Sequence, residues 1–577
     1  MVQDFADRSS ELVREGWDHL RAGRPIAARA CWQRAIQVDG SAAASKAIER
    51  LERSGDLPAS ARARYRLRAP ADPSRRSAWD DRLGGTDLDG MADAFGRLAA
   101  DDPTDASAWY NRAVVLAWLG SNREAISALD RVVAIEAATA PDHAVEAATL
   151  AELLRAGGGA ETLADDLRFS CTIDGPTIDP DVLLAEFPTI RKIETPQAPG
   201  LDAAPEVQVF EWLDRLLPEA GTLAATALPV VLASLVIRPT GGLRLSSPRA
   251  ETIEEAEEAL LGRLGIGAES ARREAAPLPL PFLDADVWTV RMTPGLDPAH
   301  ADALRRDWVE HYYEDLWVRR PRQSLGGRTP LDTAEAAHRG DPEARARLTA
   351  VVAFREQLGQ RPSARVLYQG YPFDRLRRRL GLAADDPDAV DPSDLSCAPA
   401  WELAALDPGS LDDHRLRDAV ASAAGLRLDA ITAPLADELL RRGLPTEGSI
   451  RIGAVGAIVR RAMAADDADK ALVAIDQART SADPATAEIL GVWRAEILSR
   501  SGRPDEALAT YQTMISADPR GAAIALEGGE TLLDNGQADQ ALRLLHVARY
   551  LGGEWTVRRA IRWLSDLGDW PPPPSSS

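Results

Sequence analysis

Five positions near the C-terminus recur at one spacing, and that spacing limits the fold more than any other feature. Ala495, Gly502, Asp505, Ala507 and Leu508 return as Gly529, Gly536, Asp539, Ala541 and Leu542, each 34 residues further on. A fixed period of this size predicts stacked copies of one supersecondary unit, each too small to bury its apolar face alone. The residue types suggest a helical pair. Ala495 and Gly529 are small where a first helix must approach a second. Gly502 and Gly536 end the first helix in a conformation that other residues resist. Ala507 and Ala541 let the second helix come close, and Tyr511 and Leu545, four residues on, fill the space between. Asp518-Pro519 closes the first copy, because proline bars continuation of the helix.

Weaker copies lie elsewhere. Asp469, Ala471, Leu472, Ile475 and Ala478 read as a second helix, followed by Asp483-Pro484. Trp555 to Leu567 reads as a solvating cap helix, and Pro571 to Pro574 with three serines as a polyproline-like tail. Near the N-terminus, Gly16, Gly23, Ala28, Trp32 and Ala35 occupy the same relative slots. So do Ala113, Gly120, Ala125 and Leu129, with Trp109 opening that first helix. Met91 to Ala100, with Phe95 in the core slot, ends at Asp102-Pro103. With these residues the chain resembles tetratricopeptide-repeat proteins at both ends. The resemblance implies helical solenoids that bind partner proteins or peptides on the concave first-helix face, and it implies no catalysis.

The middle has another pattern. Pro229 to Arg238, rich in Val, Leu and Ile, predicts a buried strand. Pro239-Thr240-Gly241-Gly242 is a turn signal, and Leu243 to Ser246 returns as a second strand. Thr252 to Leu264 is an amphipathic helix whose acidic first turn suits the helix dipole. Val287 to Met292 is a further strand candidate, and Phe169 to Ile173 and Val207 to Leu213 are added to the same small α+β domain. Ala301 to Val318 predicts a helix with Trp308, Tyr312 and Leu316 on one stripe. Leu325-Gly326-Gly327-Arg328-Thr329-Pro330 follows, with Thr329 as N-cap and Pro330 in the first turn. This run resembles the toxin-binding segment of Xre/ParS-type antitoxins and a helical element beside SEC-C motifs. The cysteine cluster of the latter is missing, so zinc is not implied.

The fold expected is therefore mainly α with a small α+β part: helical solenoids at both ends of a central α+β domain and a helical segment. The boundaries read as repeat helices 1–55, a linker or irregular repeat 56–86, and repeat helices 87–160. An α+β domain follows at 161–298, then a helical segment 299–382 and linker and helices 383–447. The C-terminal solenoid with its cap spans 448–568, and the tail 569–577.

Charge and composition narrow the chemistry. The net charge of −22 disfavours generic nucleic-acid binding, because phosphates are repelled. Lysine is confined to Lys46, Lys192 and Lys470 among many arginines, a bias of GC-rich bacterial genomes. None of these lysines follows a glycine, which excludes a Walker A loop. No Gly-x-Ser-x-Gly elbow or His-Glu-x-x-His pair is present, and no cofactor is expected. Cys31, Cys171 and Cys397 form no CxxC pair, which fits a reducing cytoplasm. Met1 to Ser10 lacks the pattern of a signal peptide, and the apolar run near Leu228 to Ile237 is too short to span a bilayer.

Candidate sites follow from the repeats. Trp17, Arg21, Tyr110 and Trp118 fall on the first-helix face of the N-terminal copies. Glu496, Arg500, Glu530 and Asp534 fall on that of the C-terminal copies. The lysine-based clamp for a C-terminal carboxylate is missing, and the carboxylates favour a basic or neutral peptide. Residues 301 to 380 hold 16 Arg against 11 Asp and Glu. Their clusters, Arg319, Arg320 and Arg322 and then Arg375 to Arg379, read either as a patch for an acidic partner or as internal ion pairs, and the second is favoured. Arg319, Arg320, Leu325, Gly326, Gly327, Arg328 and Thr329 are the candidate interaction residues of that segment. His311 between Glu310 and Glu314 suggests a metal site less well than an exposed charged helix face. The reading expected is a non-catalytic interaction scaffold. The alternatives are an enzyme with its site in the α+β domain, or a toxin- or stress-linked regulator working through the Leu-Gly-Gly-Arg-Thr-Pro segment.

Overall fold

The computed structural model describes residues 2–568 except 71, 84–86, 160, 176–177, 194–207, 219–227, 239–240, 265–266, 385, 387–389, 445–447, 518–520 and 553. Asp518-Pro519 and the Pro/Ser tail fall outside the described residues. The chain is mainly helical with one antiparallel sheet, and it divides into two compact units, Met1–Val390 and Asp391–Ser577.

The first unit opens with the helices Val2–Arg21 and Pro25–Asp39. Gly16 makes their close approach possible, since a Cβ there would lie 2.2 Å from Trp32 Nε1. Gly23 turns the chain between them at φ 73°. Helices Leu88–Asp101, Ala106–Trp118, Asn122–Glu136 and Pro141–Arg155 then stack, each on the one before. Gly120, at φ 80°, makes the same kind of turn as Gly23. The chain leaves the stack after Arg155, builds the sheet, and returns with helix Pro342–Gly359, which packs on Pro141–Arg155. Ala346, Ala350, Phe354 and Leu358, four residues apart, carry that helix into the same core as Leu150 and Leu154. The 299–382 segment therefore completes the N-terminal helical stack.

The sheet runs in the order β2-β3-β4-β5-β1-β6, with β1 Leu167–Ile173, β2 Ile190–Ile193, β3 Gln208–Leu213, β4 Val231–Ile237, β5 Leu243–Ser247 and β6 Ala271–Pro277. Alternation sends Cys171, Phe210, Leu235 and Leu245 to one face, where Ile253, Ala256 and Leu260 of helix Ala250–Leu264 cover them. Four strands and the helix lie where the sequence put them, and β2 and β6 complete the sheet. The expected strand at Val287 to Met292 is a correction. Val287–Thr289 is a 3₁₀ turn, and only Val290 forms an isolated bridge, with Val230. Val287 and Val290 are both buried, a three-residue spacing that suits a 3₁₀ turn and not a pleat.

In the second unit, helices Gly448–Ala464, Ala468–Arg479, Pro484–Arg500, Pro504–Ala517, Gly521–Asp534, Ala538–Leu551 and Glu554–Asp566 stack in order. Gly502 and Gly536, one period apart, share φ 73°. Ala495, Ala507, Ala541, Tyr511 and Leu545 are fully buried, and a Cβ on Gly529 would meet Leu545 at 2.9 Å. The period thus records close helix contact at fixed slots. Asp483 caps Pro484–Arg500 through Thr486 N at 3.0 Å. Among the described residues no helix is long and apolar enough to cross a membrane.

Candidate functional site

The helix faces singled out above differ in how far they are open. On the N-terminal stack, the chain's own residues 63–70, which form no helix or strand, lie against helices Ala106–Trp118 and Pro141–Arg155. Tyr65 and Leu67 turn inward to the core while Arg64 and Arg66 stay exposed, the alternation of a strand. The side-chain amide of Asn111 reads the backbone of Arg68 twice. Its Oδ1 accepts from Arg68 N–H at 2.7 Å and its Nδ2 donates to Arg68 O at 2.8 Å. The Arg68 guanidinium lies 3.7 Å over the ring of Tyr110 and pairs with Glu136 at 2.9 Å and Glu146 at 2.7 Å. The Tyr110 hydroxyl donates to Glu146 at 3.1 Å. Tyr110 is thus buried beneath an internal segment and is not open to a partner. The sequence signal was the Arg- and Pro-rich linker itself, which carries the inward Tyr and Leu.

Trp17 and Arg21 lie together on a cleft of about 280 Å³ with Leu20, Arg50 and Leu57. Trp17 packs on Trp32 at 4.9 Å, and Arg21 pairs with Asp18 at 2.6 Å on the surface. Trp118 is half-buried and packs against two core clusters, so it serves the inter-helix core.

On the C-terminal stack the first-helix face is acidic. Glu496 is half-buried, and Arg500 and Asp534 are exposed. Glu530 is held by the last helix, with Arg559 Nε donating at 2.5 Å and Trp563 Nε1 at 2.9 Å. The cap helix therefore positions one of the candidate carboxylates. Partial desolvation, and then the carboxylates of Glu496, Glu530 and Glu488, hold the Glu527 carboxyl above its ordinary value. Sequence reasoning missed Glu527, which lies 31 residues after Glu496 and so breaks the period.

The arginine clusters of 301–380 are consumed internally. Arg320 pairs with Asp286, buried Arg322 lies 3.4 Å from both Asp165 and Asp166, and Arg377 pairs with Glu356 at 2.5 Å. Arg319 Nε donates to the Asp315 carbonyl at 2.5 Å. The Glu310–Glu314 helix is no exposed charged face. Glu314 is buried and accepts from the Tyr371 hydroxyl and Arg375 Nε, each at 2.9 Å. Burial, and then the Glu314 charge, push Glu310 up to about 7. His311 Nδ1 lies 2.8 Å from Asp315. In the Leu-Gly-Gly-Arg-Thr-Pro run, Leu325 is buried, and Gly326 and Gly327 take φ 68° and 80°. Exposed Arg328 lies 3.9 Å from Asp341, and Thr329 forms a capping box with Asp332. The run is a turn and a helix start.

The space between the sheet and helix Ala250–Leu264 is packed mostly with apolar side chains, and the buried Glu257 carboxylate at that face pairs with Arg273 at 2.7 Å. A cavity of about 770 Å³ lies instead on the opposite face, over Leu232, Ser234 and Ser246 and under Phe282 and Trp288. Arg361 at its wall is buried and spent on Asp284 at 2.7 Å.

Compared with known proteins, residues 498–552 match the model of the tetratricopeptide repeat family. The match spans the helices Pro504–Ala517, Gly521–Asp534 and Ala538–Leu551. No curated protein matches the chain.

Proposed function

We propose that the protein is a non-catalytic, cytoplasmic scaffold that binds a partner protein through the first-helix face of its C-terminal stack. The matched repeat is the observation that carries this reading, since such repeats commonly bind proteins or peptides. Glu496, Glu527, Glu530 and Asp534 on that face favour a basic or neutral extended segment, since like charges repel an acidic one. The N-terminal stack supports the choice of face, because its corresponding surface already holds residues 63–70. The test is affinity capture from native lysate with the full chain, against the double variant Glu496→Lys, Asp534→Lys. The reading expects a partner retained by the wild type and lost by the variant. Identical capture by both removes this face from the account.

A second reading has one observation behind it. The cavity on the open sheet face is large enough for a small molecule, and it is where an enzymatic or ligand site of the α+β part would lie. Screening the full chain against a metabolite library by thermal shift tests it. A hit lost in Ser234→Trp supports that reading, and no hit leaves the scaffold alone. The regulator reading of the Leu-Gly-Gly-Arg-Thr-Pro run rests only on the resemblance of its sequence.

A further inference from the structure

The first helical pair brings three side chains of metal-ligating type together. Glu15 and His19 are four residues apart on helix Val2–Arg21 and so share one face. Cys31 faces them from helix Pro25–Asp39. One ligand atom from each lies within 4.8 Å of the other two, and His19 Nε2 stands 3.7 Å from Glu15 Oε1.

The packing around the three fixes their relative places. Gly16, next to Glu15, lies against Trp32, next to Cys31, and Trp32 Nε1 donates to the Val13 carbonyl at 3.2 Å. Those two contacts set the register of the helices at the level of the cluster. The His19 ring is backed by the turn at Gly120, where a Cβ would come 2.8 Å from Cε1 and 3.2 Å from Nδ1. The Nδ1 edge is thereby turned to the wall and Nε2 towards Glu15. Exposure is graded: Cys31 is buried, His19 half-buried and Glu15 open to solvent. An ion can enter past Glu15 and keep one position for water.

We propose that Glu15, His19 and Cys31 form a binding site for a divalent zinc-class ion, with solvent completing a four-coordinate shell. One thiolate, one imidazole and one carboxylate form a donor set that suits zinc and cobalt, and it does not suit magnesium or calcium, which take oxygen ligands. Without an ion the same groups are poorly matched. Burial, and then the Glu15 charge, push the Cys31 thiol up to about 11, and burial lowers His19. Binding displaces the thiol proton, so affinity rises with pH. Among the described residues, Asp18 and Arg24 also act on His19 and Arg34 on Cys31, so with Glu15 counted two guanidinium groups face two carboxylates. A bound ion would clamp the first helical pair, as structural zinc does elsewhere.

The test uses the untagged full chain, freed of metal by chelation and titrated with Co²⁺ alone. The expected result is one ion per chain with a near-ultraviolet thiolate-to-cobalt charge-transfer band. Cys31→Ser is expected to lose that band, while Cys171 and Cys397 remain as internal controls. Competition against a chromophoric chelator then measures Zn²⁺. Glu15→Gln, at an exposed position that leaves the core intact, and His19→Gln are each expected to weaken Zn²⁺ about tenfold or more. Circular dichroism checks that each variant folds, and Glu15→Gln decides if Cys31→Ser does not. No band in the wild type, a band that persists in folded Cys31→Ser, or wild-type Zn²⁺ affinity in Glu15→Gln overturns the proposal.

Discussion

Replacing Asn111 by alanine should release the segment that fills the N-terminal helix face. Asn111 is buried, at 1% exposure, and it satisfies both the N–H and the C=O of Arg68. Alanine leaves two backbone groups without partners and puts nothing in their place. Each such group costs about 1–3 kcal/mol when buried. Arg68 is half-buried, so water recovers part of this, and a total of about 3 kcal/mol is expected. Unfolding entropy of about 2 cal/mol/K per residue over the 390 residues of the first unit gives about 0.8 kcal/mol per degree. The melting temperature of that unit should therefore fall by about 4 °C. A sharper readout is local. Arg64, Arg66 and Arg68 are trypsin sites, and limited proteolysis of a native chain tracks the population of the open form. A loss of about 3 kcal/mol in the docked segment raises cleavage there by about two orders of magnitude. An unchanged melting temperature together with wild-type cleavage at these arginines would refute the view that Asn111 holds the segment.

Three further outcomes are expected. Arg361→Met strands the carboxylate of Asp284, which is 1% exposed, and should cost about 3–5 kcal/mol in urea unfolding; Arg361→Met with Asp284→Leu should recover most of it. Gly529→Leu overpacks the contact with Leu545 and should cost about 1–3 kcal/mol, whereas Gly536→Ala, with open space but a φ of 73°, should cost about 1 kcal/mol; urea midpoints of the full chain compare them. Glu310 has a folded value of about 7 against an ordinary 4.5, so between those values the folded chain keeps a proton that the unfolded chain has lost. Its contribution to stability therefore falls as pH rises through that window, and Glu310→Gln should flatten that part of the urea-midpoint profile.

Much of the helical architecture was legible because it depends on local size and backbone freedom. Gly502 and Gly536 announce a left-handed turn, and Ala495, Ala507 and Ala541 announce close contact, and each of these is a property of one residue. The sheet was legible where a strand is rich in Val, Leu and Ile, as in β4. It was not legible at β6, Ala271–Pro277, whose burial is slight because it pairs at an edge. Val287 to Met292 misled because valines three apart fit a 3₁₀ turn as well as a short strand.

The candidate faces were less legible, since they depend on what covers them. Tyr110 sits where the repeat geometry predicts, and only the fold reveals that residues 63–70 lie on it. Arg320 and Arg322 belong to one basic cluster in the sequence and Arg377 to another, yet their partners Asp286, Asp166 and Glu356 lie elsewhere in the chain. The return of helix Pro342–Gly359 to the N-terminal stack is likewise a long-range event with no local signal. The Glu15, His19 and Cys31 cluster spans a turn and escapes any spacing rule confined to one helix.

The most direct measurement of the central claim is hydrogen–deuterium exchange on the full chain with and without the captured partner. The account predicts added protection in the helices Pro484–Arg500 and Gly521–Asp534, around Glu496, Glu527 and Asp534, with the sheet of the first unit unchanged. Protection confined to the sheet, or to residues 63–70 and the helices beneath them, would contradict it.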